Sequence, residues 1–187
     1  NASTFTVRCI ASTGMHLFGA VTGGLAALAG PRHCGETMLV TAMFREAKHA
    51  GDIDRYIAGR LARDDGQQRT ILPGFGHMLY PAGDPRAALL LDMLSQRVRT
   101  HAERQALADI DAIAHAVREA TGLAPTVDFA LSALERVLRL PAGAAFSLFA
   151  LGRAVGWIAH AMEQLEDGRL IRPRARYVGP DEIEIAS

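Results

Sequence analysis

A chain of 187 residues is long enough for one ordinary domain, or for one compact domain with a smaller lobe folded out of it. Its hydrophobic fraction of 49% excludes a disordered chain, and 20 basic against 20 acidic side chains leave no net field favouring a nucleic acid or an anionic membrane. Cys9 and Cys34 lack the number for a disulfide framework and the spacing for a zinc site.

The dominant period along the chain is helical, and the expected fold class is all-α. Residues 4–29, rich in Ala, Gly and Ser, read as a helical hairpin or a bent helix. Gly19, Gly23 and Gly24 there invite close approach by another backbone, either a core neighbour or a second subunit. Two shorter helices are expected over 36–50 and 53–63, divided at Gly51-Asp52. The next covers 86–98, with Asp84 as its cap and Pro85 in its first turn. Over 101–121, Leu107, Ile110, Ile113 and Val117 share one helix face. The longest pattern, 142–165, opens after Pro141 and closes at Asp167-Gly168. Residues 174–187 could add a short strand near Ile183, and no alternating pattern suggests a large sheet.

Neither apolar stretch reads as a membrane span. Residues 15–30 contain His16 and several glycines, and 142–158 enclose Arg153, which a lipid-facing helix rarely tolerates. A soluble, cytoplasmic protein is the expectation. The chain opens with Asn-Ala-Ser directly in structured sequence, which reads as part of something longer.

Helix breakers collect at Gly30-Pro31, at 72–85, at 122–125 and at 172–180. Loops of this kind are where a rigid scaffold can aim reactive groups. His33 follows the first break, His77 lies in Gly74-Phe75-Gly76-His77, and Asp128 ends Pro125-Thr126-Val127-Asp128. Singly, these are a turn histidine, a surface histidine and a helix cap. Together, two imidazoles and a carboxylate make a general acid–base set. Arg153, amid Phe149, Leu151, Val155 and Trp157, needs a buried acidic partner or a polar cavity to face. Lys48 is the only lysine, so arginine carries nearly all the positive charge. Genomic composition is the plain explanation; forked recognition of carboxylates or phosphates is the functional one.

Taken in order, Gly30-Pro31-Arg32-His33, Gly74-Phe75-Gly76-His77, Asp84-Pro85-Arg86-Ala87, Pro125-Thr126-Val127-Asp128-Phe129 and Arg153-Ala154-Val155-Gly156-Trp157 resemble successive landmarks of the citrate synthase family. The run from Ile171 to Gly179 is similar to the family's closing segment, and Asn1 to Thr6 to the segment after a substrate-binding histidine. The resemblance implies a helical fold with a large domain (1–33 and 129–187) and a small mobile domain (34–128). The family's N-terminal part is missing, so a preceding segment or a companion chain is expected. It also implies a homodimer with a shared active site, with the glycine-rich helices at its interface.

By the same resemblance, Asp128 is the base that deprotonates the acyl-CoA, His33 stabilises the enol, and His77 donates to the oxaloacetate carbonyl. Arg86, Arg153 and Arg172 hold carboxylates, with Arg172 reaching into the neighbouring subunit's site. The implied reaction condenses an acyl-CoA, acetyl-CoA foremost, with oxaloacetate and releases CoA by hydrolysis. CoA thioester is a co-substrate; no metal or permanently bound cofactor is implied. 2-Methylcitrate synthase, citryl-CoA lyase and a non-catalytic metabolite-binding protein are the alternatives. Cys34, Glu36-Thr37-Met38, Met78 and Pro81 depart from the family pattern. The first two stand in place of a glycine and an Ala-Asn-Glu-like run; the last two remove positive charge near the CoA side.

Overall fold

The computed structural model describes residues 1–30, 33, 35–63 and 72–173. Among these the chain is all-α, and its one strand-like pairing is an isolated bridge between Phe75 and Pro125. The region expected to supply a strand near Ile183 lies outside the described residues.

The 4–29 stretch is a hairpin of α1 (Ala2–Ala11) and α2 (Leu17–Leu28). Asn1 caps α1 by accepting from the Thr4 amide at 3.0 Å. His16 caps α2 through Nδ1, which accepts from the Gly19 amide. Glycine is required at position 24, because a Cβ there would lie 2.7 Å from Val7 Cγ2 and 3.0 Å from the Trp157 ring. The glycine-rich face of α2 thus serves packing within this chain.

α3 (Glu36–Ala50) ends at Gly51 in the left-handed region, and Asp52 caps α4 (Ile53–Leu61), two residues shorter than the 53–63 expectation. α5 (Pro85–Arg97) carries Pro85 in its first turn and the Asp84 cap before it. α6 (His101–Thr121) starts with a reciprocal capping box of Thr100 and Glu103. α7 (Val127–Val137) and α8 (Ala144–Asp167) complete the chain. α8 begins later than 142, because Pro141 to Gly143 form a turn and Gly143, at φ +87°, takes the cap position.

Two apolar clusters organise these helices. α1, α2 and α8 enclose Val7, Ala20, Leu28 and the fully buried Trp157. α3 to α7 enclose Val40, Phe44, Leu94, Ile110, Val117 and Phe129. Phe129 meets Phe44 and Phe75 edge-on, with ring centroids 5.1 and 4.9 Å away. Fully burying one such ring stabilises the fold by about 1.5–3 kcal/mol. A small third cluster, Val127, Leu131 and Ala145 with Leu90 and Phe149 against it, joins α5, α7 and α8. The breaks that carry the candidate site residues lie where these clusters meet.

Candidate active site

His33 stands in the turn before α3, and its Nε2 lies 2.9 Å from Ser3 Oγ. Ser3 is fully buried and also accepts from the Trp157 indole N–H at 3.2 Å. Its single hydroxyl proton goes to His33 or to Asn1 Oδ1, 3.1 Å away, and that choice sets the His33 tautomer. Burial lowers the His33 pKa, and the positive charge of Arg153 lowers it further. His33 is therefore a neutral imidazole near pH 7.

Thr4 carries the network onward: its hydroxyl accepts from Arg153 at 2.7 Å. Arg153 has no acidic partner among the described residues, and its Nε is buried without a hydrogen bond. Of the two explanations open for this arginine, the buried salt bridge is not the one found within the described residues. A half-buried guanidinium with an unused donor has room for an anionic partner.

His77 follows a short backbone ladder. Gly76 N–H donates to Ala124 at 2.9 Å, and Thr126 N–H donates to Gly74 at 2.8 Å. Position 74 demands glycine: φ is +83°, and a Cβ would sit 2.7 Å from Val40 Cγ2 and 3.0 Å from Phe129 Cβ. The His77 Nδ1 accepts from the Leu79 amide at 3.1 Å, so the proton of the neutral ring is on Nε2. Tyr80 lies against the ring at 5.0 Å between centroids.

Two residues beyond Thr126, Asp128 sits half-buried in the first turn of α7, where the helix dipole favours a carboxylate. The cap position belongs to Thr126, so the capping role open to Asp128 in the sequence is not the one it fills. Asp128 is close enough to Arg86 to raise that guanidinium's pKa, after the larger effect of the hydrogen-bonded Asp84.

Asp84 does more than cap α5. Its buried carboxylate takes Arg86 Nε and Nη2 at 2.9 and 2.8 Å, the Arg86 amide at 3.0 Å, and the Val127 amide at 3.0 Å. Burial alone would raise its pKa; the hydrogen bonds from Arg86 and Val127 outweigh that and hold the carboxyl below its ordinary value. Arg86 also lies over the Tyr80 ring, 5.1 Å from its centroid.

A second carboxylate closes the circuit: Glu36 Oε1 accepts from the Gly74 amide at 2.8 Å. One ladder thus relates His77 and Asp128, Asp84 adds Arg86, Ser3 and Thr4 relate His33 to Arg153, and Glu36, three residues past His33, ties the two groups together. Arg86 and Arg153 line a common cavity of about 440 Å³ whose other walls are Leu89, Leu90, Val127, Leu131, Leu148, Phe149 and Gly152. Arg172 is not in this group; it stands exposed beyond α8, with no ion pair among the described residues. No group of three metal-ligating side chains occurs among the described residues. Pro31, Arg32 and Cys34 lie outside them.

Ser3, Thr4 and Glu36 were not legible as site residues. Their partners are 30, 149 and 38 residues away, and no local pattern announces contacts of that span. Asp84 was legible only as a cap, although its place two residues before Arg86 was the available signal.

The family model for the citrate synthase C-terminal domain matches residues 1–174. The chain belongs to the citrate synthase family. A putative citrate synthase 2 from Mycobacterium tuberculosis is 38% identical over 186 residues, covering 96% of this chain and 48% of the relative. The crystal structure of citrate synthase from Thermotoga maritima superposes with a TM-score of 0.79 at 33% identity, over 100% of this chain and 51% of the other. A citrate synthase from Thermoplasma acidophilum, solved in ternary complex with carboxymethyl coenzyme A and oxaloacetate, gives a TM-score of 0.78 at 31% identity, over 100% of this chain and 50% of the other. The chain spans about half the length of the citrate synthases it matches.

Proposed function

We propose that this chain supplies the acid–base and carboxylate-binding residues of an enzyme that condenses an acyl-CoA, acetyl-CoA foremost, with oxaloacetate and then hydrolyses the thioester. The observation that carries the reading is the pair of guanidinium groups on one cavity, Arg153 with no acidic partner among the described residues and with a buried unused donor. Arg153, beside an Arg86 already paired with Asp84 and over apolar walls, suits a small carboxylate ligand.

The Asp128 carboxylate takes a proton from the acyl carbon, and a neutral His33 donates to the thioester oxygen as the enol forms. That role places the His33 proton on Nδ1 and makes Ser3 the donor to Nε2. His77, with its proton on Nε2, donates to the oxaloacetate carbonyl oxygen as the carbon–carbon bond is made. Water then cleaves the citryl thioester, giving citrate and free CoA. A thioester methyl is a very weak acid, so a carboxylate suffices only where the growing negative charge on oxygen meets fixed donors and water is excluded. Closure of residues 34–128 over the site supplies the exclusion. Arg172 belongs to the shared site of a homodimer, and the cytoplasm is the compartment.

Thiol release with oxaloacetate and acetyl-CoA, then propionyl-CoA, tests the reading in the chain assembled with the family's other half. Release that needs both substrates and falls at least a hundredfold in Asp128→Ala is the expected outcome, on the scale of losing a general base. Faster release from propionyl-CoA would make it a 2-methylcitrate synthase. A rise in melting temperature with oxaloacetate but no release with either thioester would overturn catalysis in favour of metabolite binding.

A further inference from the structure

A second cavity lies at the far ends of two helices that carry the candidate site. α3 presents Glu36 at its start and Lys48 in its last turn; α7 presents Asp128 in its first turn and Arg136 in its last. Along each helix these positions are roughly 18 and 12 Å apart, at 1.5 Å of rise per residue. Where the two far ends meet the start of α6, Lys48, His101, Arg136 and Arg139 line a cleft of about 390 Å³, with Gln105 and Asp109 on its α6 side. No residue lines both this cleft and the Arg86–Arg153 cavity.

The cleft holds an excess of positive charge. Lys48, Arg136 and Arg139 are cationic at neutral pH, and none of them forms an ion pair among the described residues. Asp109, which faces them, accepts from Gln105 Nε2 at 3.0 Å. Glu103 is engaged at the cap of α6, where it accepts the Arg99 and Thr100 amides at 2.7 and 3.0 Å. Those bonds hold its carboxyl below the ordinary value, and the charge of Arg139 adds to them. The dipoles at the C-terminal ends of α3 and α7 account for Lys48 and Arg136 taken singly. They do not account for Arg139, which stands past the end of α7 in the left-handed region, at φ +51°. That conformation costs a side chain about 1 kcal/mol or more, and glycine would adopt it freely. Arginine there instead brings a second guanidinium to the cleft.

We propose that the cleft binds a diphosphate, either free or as the ester of a small organic body. Two guanidinium forks and an ammonium are the donors that phosphate oxygens accept best. An apolar groove of about 260 Å³ adjoins the cleft through Lys48, Gln105, Asp109 and Arg136, and Phe44, Ile53 and Ile113 line it. The body of an ester lies along that groove.

Calorimetric titration of the 187-residue chain at low salt, with inorganic pyrophosphate and with adenosine diphosphate, tests the site. Saturable binding of at least one is expected. Lys48→Gln and Arg136→Gln should each weaken it tenfold or more, the scale of one charge-assisted contact. Arg45→Gln removes the same charge from an exposed position of α3 outside the cleft, and should bind as the unaltered chain does. Arg139→Gly carries the sharpest signature: the melting temperature rises while binding falls about tenfold, opposite signs that a damaged fold cannot give. Tighter binding of adenosine diphosphate assigns the ester, and equal or tighter binding of pyrophosphate the free ion. Three results would overturn the proposal. They are no binding of either ligand, binding indifferent to all three cleft substitutions (as for a diphosphate held in the Arg86–Arg153 cavity), and citrate binding as tightly as pyrophosphate. No readout depends on turnover, so the cleft is tested independently of the condensation reaction.

Discussion

Glu36 shows what a single side chain can hold together. Its carboxylate accepts from the buried Gly74 amide 38 residues away. Replacing it with alanine leaves that N–H without an acceptor, a loss of about 1–3 kcal/mol; glutamine keeps an acceptor oxygen and should restore most of it. Chemical denaturation together with exchange of the Gly74 amide reads both effects. Equal behaviour of Glu36→Ala and Glu36→Gln would show that the bond contributes nothing. The candidate residues His33, His77, Asp128, Arg86 and Arg153 could be picked out from sequence because helix breaks and short motifs mark them. Glu36, Ser3 and Thr4 could not, since only tertiary folding brings their partners near.

Among the elements, most helices announced themselves through caps. Asp84 with Pro85 and the glycines at 51, 122 and 168 each stand at a helix end seen in the structure. The end of α7 did not, because no glycine follows it. Arg139 takes the left-handed turn instead, at φ +51°, the one non-glycine residue with positive φ among those described. The Leu140 amide then returns to the Glu135 carbonyl at 2.9 Å. A side chain in that region costs about 1 kcal/mol or more, partly offset in a glycine variant by the greater freedom of its unfolded chain. Arg139→Gly is expected to raise the melting temperature by about 2–4 °C. An unchanged or lower value in calorimetry would mean the Arg139 side chain makes up the strain through its own contacts.

At the level of the whole molecule, acid should loosen the fold in two stages. His33 has a lowered pKa in the fold, so between that value and the ordinary 6.5 the unfolded chain binds more protons. Stability therefore falls as pH drops through about 6.5, and this step is complete below the folded value. Asp84 acts lower: its folded pKa is also depressed, so its contribution is intact above about pH 4 and is lost as the carboxyl protonates beneath that. Urea midpoints between pH 7.5 and 3 should show both steps, and His33→Gln should remove the upper one alone. An upper step that survives the substitution would assign it to another group. The all-α class and the family were readable from helical periodicity and ordered motifs. Which apolar residues of α8 are buried, as Trp157 is, and which are exposed, as Leu151 and Val155 are, was not, because apolar residues on two faces of a helix look alike in sequence.

Trp157 is the only tryptophan, it is fully buried, and its indole N–H ends on the same serine hydroxyl that touches His33. The chain therefore carries its own optical probe. A protonated imidazole one hydroxyl away shifts the electric field at the indole, so the indole emission follows the charge on a candidate catalytic histidine. Fluorescence excited in that single ring reports the state of His33 in the 187-residue chain, without a label.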